Sequence, residues 1–128
     1  MGTKDSSFEL YHNNYSEPAN DAITITADHH FYFLSTFSQK HKLDSKKAIQ
    51  VYFNKATDEI AIVFLGEVIS GSYKMHVPQK RLRYGGRVNA RGFFNAHGLF
   101  DSVKIGRYHY REIDLNGQKA FVIKAERL

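Results

Sequence analysis

From Ala22 onward the chain is written in short period-two runs separated by turn chemistry, and the order in which those runs arrive repeats. Ile23 and Ile25 alternate with Thr24 and Thr26, the pattern of a half-buried strand. Phe33, Leu34, Phe37 and His41 then fall at helical spacing before Leu43-Asp44-Ser45, so 33–42 reads as a short amphipathic helix. Gln50 to Phe53 and Ile60 to Leu65 are β-rich, and the intervening Asn54-Lys55-Ala56-Thr57-Asp58-Glu59 carries the turn formers of a hairpin.

The same order returns further on. Arg87-Val88-Asn89-Ala90 stands where Thr24-Ile25-Thr26-Ala27 stood, and Phe93 to Leu99 gives a second helical stretch. Val103 to Ile113 and Lys119 to Lys124 give a second hairpin, turned at Asp114-Leu115-Asn116-Gly117; Asn-Gly is the strongest short hairpin signal a sequence can carry. A pair of strands and one short helix cannot bury its own apolar face, so two such units must share a core. The expectation is a mostly β single domain, a barrel or sandwich built from two strand–helix–hairpin repeats over 22–65 and 86–124. A basic linker, 66–85, joins them, and a flexible polar arm, 1–21, rich in Ser and Asn, precedes the domain.

Composition narrows the chemistry. With 42% apolar and 24% charged residues in 128, the chain can build an ordinary core without staples. It has no Cys, which excludes disulfides, thiolate metal sites and thiol nucleophiles and fits a reducing compartment. The longest apolar run, Ile60 to Leu65, is far below the roughly 20 residues of a membrane helix, and the polar opening does not read as a signal peptide. These features give the expectation of a cytoplasmic protein without membrane contact.

Charge is the most informative functional signal. Between Val68 and Phe100 lie six basic residues, Lys74, Lys80, Arg81, Arg83, Arg87 and Arg91, and no acid, while the rest of the chain is nearly balanced; the segment alone accounts for the net charge of +5. Clustered cations are what displacement of counterions from phosphates requires, and Tyr73, Tyr84 and Phe93 interleave with them as stacking groups. Lys74, Lys80, Arg81, Arg83, Tyr84, Arg87 and Arg91 are therefore the candidate nucleic-acid contacts of a non-enzymatic binding protein, with duplex DNA the expected ligand. A solvated linker and an acidic protein partner are the competing readings of the same run.

Three other constellations bear on function. Asp28-His29-His30 follows a strand, as the triplet of one class of metal-dependent phosphoesterases does, but adjacent side chains on a strand point to opposite faces; the reading is no metal, with Asp28 as N-cap of the following helix. His97 and His109, beside Arg107 and Arg111, have the residue types of a small ribonuclease, a third-ranked alternative, but nothing in the spacing sets their geometry and no catalytic residue is assigned. Phe8, Tyr11, Tyr15 and Phe31-Tyr32-Phe33 are the contacts of the second-ranked alternative, a small protein-binding module such as an inhibitor or assembly factor of phage or mobile-element type. No phosphate-binding glycine loop or cofactor motif is present, so no cofactor is expected.

Gly86-Arg87-Val88-Asn89-Ala90-Arg91-Gly92-Phe93-Phe94-Asn95-Ala96-His97-Gly98-Leu99, followed by the hairpin over 103–124, resembles the swapped-hairpin fold of AbrB-type bacterial transition-state regulators and the related MraZ proteins. The likeness lies in a Gly-Arg-apolar strand, a short helix ending in Gly-apolar and a closing hairpin; the proline usual at the family's strand-to-helix corner is Ala90-Arg91 here. The resemblance implies a cradle-loop barrel, commonly a homodimer, that contacts DNA through basic strand and loop residues and acts as a regulator.

Overall fold

The computed structural model of the chain describes residues 21–76 and 85–128. The arm up to residue 20 and the candidate contacts Lys80, Arg81, Arg83 and Tyr84 lie outside the described residues. Described elements follow in the order β1 (Ile23–Ile25), β2 (His30–Phe33), α1 (Ser35–Lys40), a 3-10 turn (Leu43–Ser45), β3 (Ala48–Asn54), β4 (Glu59–Leu65), β5 (Tyr73–His76), β6 (Gly86–Asn89), α2 (Arg91–Ala96), β7 (Gly106–Tyr108), β8 (Arg111–Leu115) and β9 (Gln118–Lys124). The protein is mostly β, as the sequence predicts.

All the described strands belong to one antiparallel sheet in the order β7-β1-β2-β6-β5-β3-β4-β9-β8. Laid flat, its eight gaps of about 4.8 Å would hold the outer strands about 38 Å apart. Yet β7 and β8, the two outermost strands, are joined through only His109 and Tyr110, a link that cannot reach much beyond 10 Å. The sheet must therefore curl into an open barrel, brought round by its own chain. The opposite corner is β5, where Tyr73 pairs with Ile49 of β3 while Met75 and His76 pair with Val88 and Arg87 of β6. A strand that changes partners in mid-course is the usual way to turn such a corner.

Aromatic rings fill the concave side. Phe31 contacts Phe94 at 5.3 Å between centroids, and Phe33 contacts Phe64 at 4.9 Å and Phe37 at 5.6 Å. Phe37 and Phe64 each meet Phe121. With Ile23, Ile25, Ile49, Ile60, Ile62 and Ile123 these rings form one buried core in which β2 touches both helices.

Several boundaries differ from the sequence reading. The strand that leads into the first helix is β2, not the Ile23–Ile25 strand, which is the first arm of a β1–β2 hairpin with Ile25 opposite Phe31. Phe33 belongs to that hairpin, opposite Ile23 and Gly86, because its backbone is held by strands on both sides; α1 starts two residues later. The basic segment is not a plain linker, since Tyr73–His76 is a strand within it. The expected run over 103–113 divides: β7 pairs with β1, and only β8 pairs with β9. At the β8–β9 turn Leu115 faces Gln118 and both Asn116 and Gly117 have positive φ, the two-residue turn the Asn-Gly pair predicts.

Candidate nucleic-acid interface

The site follows from strand alternation. Ile23, Ile25, Phe31, Phe33, Met75 and Val88 point into the core, so their neighbours point outward. Register aligns those neighbours into one row across five strands: His76 of β5 faces Arg87 of β6, Arg87 faces Tyr32 of β2, Tyr32 faces Thr24 of β1, and Thr24 faces Arg107 of β7. Four gaps of about 4.8 Å make the row about 19 Å long. Lys74, His30 and Asn89 occupy outward positions two residues along from it on the same face. Arg87, Arg107, Lys74 and His76 are exposed, and Tyr32 is half-buried.

Local contacts set the electrostatics. An Arg87 guanidinium nitrogen is 3.7 Å from Asp28, an exposed pair that constrains the side chain weakly. Asp28 accepts a hydrogen bond from the Thr26 hydroxyl, and that bond, with the nearby His30 and Arg87, holds its carboxyl below the ordinary carboxylate range against slight burial. Arg91 opens α2 with its guanidinium 5.9 Å from the centre of the Phe100 ring, so it stands over an aromatic face at the end of the sheet and not in the row. Of the candidate contacts that are described, Lys74 and Arg87 share one face and Arg91 lies beside it.

Alternation marks the positions that join them only as outward-facing. His76, Tyr32 and Arg107 belong to separate segments, and their alignment depends on the β7-β1-β2-β6-β5 order, which no local signal carries.

The remaining constellations resolve differently. Asp28 is not a helix cap: it sits in the four-residue β1–β2 connection, whose last residue, His29, adopts φ 61, and the N-cap of α1 is Leu34, without a side-chain bond. His29 is buried, stacked on Phe100 at 3.9 Å between ring centres, with Nε2 2.6 Å from the Phe100 carbonyl oxygen. His30 lies on the outer side of β2, so the two rings diverge, and no group of three potential metal ligands occurs among the described residues. His97 packs against Phe53 and Phe93 after α2, whereas His109 lines a small cleft of about 210 Å³ with Asp21, Lys40, Tyr110, Arg111 and Glu112, so the ribonuclease set is divided. Arg111 is held by Glu59 at 2.6 Å. Phe31 and Phe33 are fully buried, which removes them as partner contacts and leaves Tyr32 of that triplet facing outward.

A second concentration of charge lies at the other end of the barrel. A cleft of about 550 Å³ is lined by Lys40, Lys42, Lys46, Lys119 and His41, with Leu43, Val63, Phe64 and Phe121 beneath. Beside it, Asp21 receives hydrogen bonds from Lys40 Nζ at 2.9 Å and from the Tyr110 hydroxyl at 2.5 Å, and His41 Nε2 lies 2.8 Å from the same hydroxyl. Because that hydroxyl donates to Asp21, His41 donates to it. Burial pushes the His41 pKa down, more than the negative charges of Glu112 and Asp21 push it up. Burial alone would raise the Asp21 carboxyl, but the two hydrogen bonds and the charges of Lys40 and His41 hold it below its ordinary value. Among the described residues no helix is long and apolar enough to cross a membrane. No protein-family model, no curated protein and no solved structure matches this chain.

Proposed function

We propose that the protein is a non-enzymatic nucleic-acid-binding protein, that duplex DNA is its ligand, and that the outward face of β7-β1-β2-β6-β5 is where the phosphates lie. The observation that carries this reading is the cross-strand row His76, Arg87, Tyr32, Thr24 and Arg107, flanked by Lys74. It gathers cations from three strands, a ring from a fourth and a hydroxyl from a fifth over about 19 Å, while duplex DNA presents a charge every 1.7 Å or so of axis. Cations on a sheet face are fixed in spacing by the ladder, which lowers the ordering cost of binding a regular polyanion. The finer form of the proposal, an AbrB-like regulator, rests on the sequence resemblance that starts at Gly86-Arg87-Val88.

The test is a salt titration of binding to duplex DNA, single-stranded DNA and RNA. Duplex binding should be tightest at about 50 mM salt and weaken linearly in log affinity against log salt. Changing Lys74, Arg87 and Arg107 singly to Gln should each reduce the slope by about 0.9 if each meets one phosphate, with stability altered by no more than about 0.5 kcal/mol. Absence of binding to any of the three at low salt would sink the reading. Capture of an acidic protein in its place would favour the protein-binding alternative.

A further inference from the structure

The cleft between α1, the 3-10 turn, β4 and β9 is not used by the proposed interface, and its construction is unlike that of a solvated rim. Among the described residues, four lysines and a histidine line it and no acid does, and its apolar members are Leu43, Val63, Phe64 and Phe121. Asp21 pairs with Lys40 at 2.9 Å and Glu112 with Lys119 at 3.3 Å, and neither acid lines the cleft.

A second observation concerns Lys42. After each helix the chain runs His, a left-handed residue, and a buried Leu: His41, Lys42 (φ 54) and Leu43 after α1, then His97, Gly98 (φ 67) and Leu99 after α2. Glycine takes that conformation without steric cost, whereas a β-carbon disfavours it. In the second unit the position is Gly98; in the first it is a lysine, and that lysine lines the cleft. A left-handed backbone at a lysine that also lines the cleft is the observation that singles out this copy of the turn.

We infer that this cleft binds a small phosphate monoester with a compact ring body, the dianionic head held by Lys42 and Lys46 with Lys40 and Lys119 at the sides, and the ring against the apolar floor. A dianion is selected because four lysines line one cleft and, among the described residues, no acid does. The volume lies in the range of small-ligand pockets. This inference stands apart from the DNA reading, since it uses other strands and other residues.

The test uses phenyl phosphate as the probe, with inorganic phosphate and phenol as its separate halves, followed by amide chemical shifts of the isotope-labelled full chain at low salt. Saturable shifts are expected at 40–46 and 118–121, with a Kd near 1 mM, as ligand-efficiency norms give for a fragment of this size, and about tenfold tighter than either half. Lys46→Gln and Lys42→Gly should each weaken binding about threefold to tenfold. Lys42→Gly should at the same time raise Tm, because it relieves the left-handed residue. Weaker binding by a more stable protein cannot come from misfolding. Shifts absent from the cleft at about 10 mM probe, ten times the expected Kd, overturn the inference, as do equal affinity for inorganic phosphate or a double variant that binds unchanged. Duplex DNA slopes unaltered in these variants separate this result from the fate of the proposed interface.

Discussion

A single position shows how closely the backbones of β6 and β2 approach. Gly85 has φ 84, and a β-carbon built there would collide with the Phe33 carbonyl and touch the Tyr32 ring. The backbone of β6 approaches β2 at that point because Phe33 pairs with Gly86 and sits in the core beneath. Gly85→Ala therefore meets a wrong-handed backbone and a clash with main chain that cannot rotate away. It should cost about 2–4 kcal/mol in a denaturant titration, well beyond a surface substitution. An effect below about 0.5 kcal/mol would mean that the β2–β6 approach is looser than described.

Elements owe their ends to neighbours more than to their own residues. Both helices are short, and neither has a side-chain N-cap, since Leu34 and Ala90 precede them. Six residues form no stable helix in isolation. What anchors α1 is Phe37 in the aromatic core and Ser38, a fully buried hydroxyl that donates to the Phe33 carbonyl at 2.9 Å. Ser38→Ala should cost about 1–2 kcal/mol, and Ser38→Val more, because the bulkier side chain also loses the bond and must fit a filled site. Thermal melts of the two variants check the order; equal stability of wild type and Ser38→Ala would show that the bond has no net value.

At the scale of the whole molecule, the barrel is brought round at the link between β7 and β8, and the network of Asp21, Tyr110, His41 and Lys40 sits on that link. It joins Asp21, two residues before β1, to Tyr110, the residue before β8, and to the end of α1, three elements with no ladder in common. Its titration predicts an acid-sensitive fold. His41 has a depressed pKa when folded, so below about 6.5 the unfolded chain binds a proton that the folded one does not, and stability falls as pH drops through that value. Asp21 is also depressed; its contribution is complete above its unfolded pKa near 3.8 and is lost as pH falls through the lower folded value. Denaturant midpoints measured from pH 8 downward should decline in two stages, and His41→Gln should remove the first. A flat profile between pH 7 and 5 would contradict the burial of that imidazole. Tyr110→Phe, which removes one of the two hydrogen bonds to Asp21 and takes the hydroxyl from His41 Nε2, should cost about 1–3 kcal/mol at pH 7.

Local patterning was enough to determine the β character, the hairpin turned at Asn116-Gly117, the existence of both short helices and the polarity of the sheet faces. Each depends on side-chain period or turn conformation, and these act over a few residues. Only the tertiary structure decided that β2 and not β1 leads into α1, that part of the basic segment is a corner strand, and that β7 leaves its expected hairpin to pair with β1. These are choices of partner, and the backbone groups that make them are the same in every residue. Lys74 and Arg87 were legible as cations from charge alone, whereas their alignment with Tyr32 and Arg107 required the strand order. The lysine cleft has no sequence signature either: Lys42 and Lys119 are 77 positions apart, and they face one cavity because burying Phe37, Phe64 and Phe121 together draws α1 onto β4 and β9.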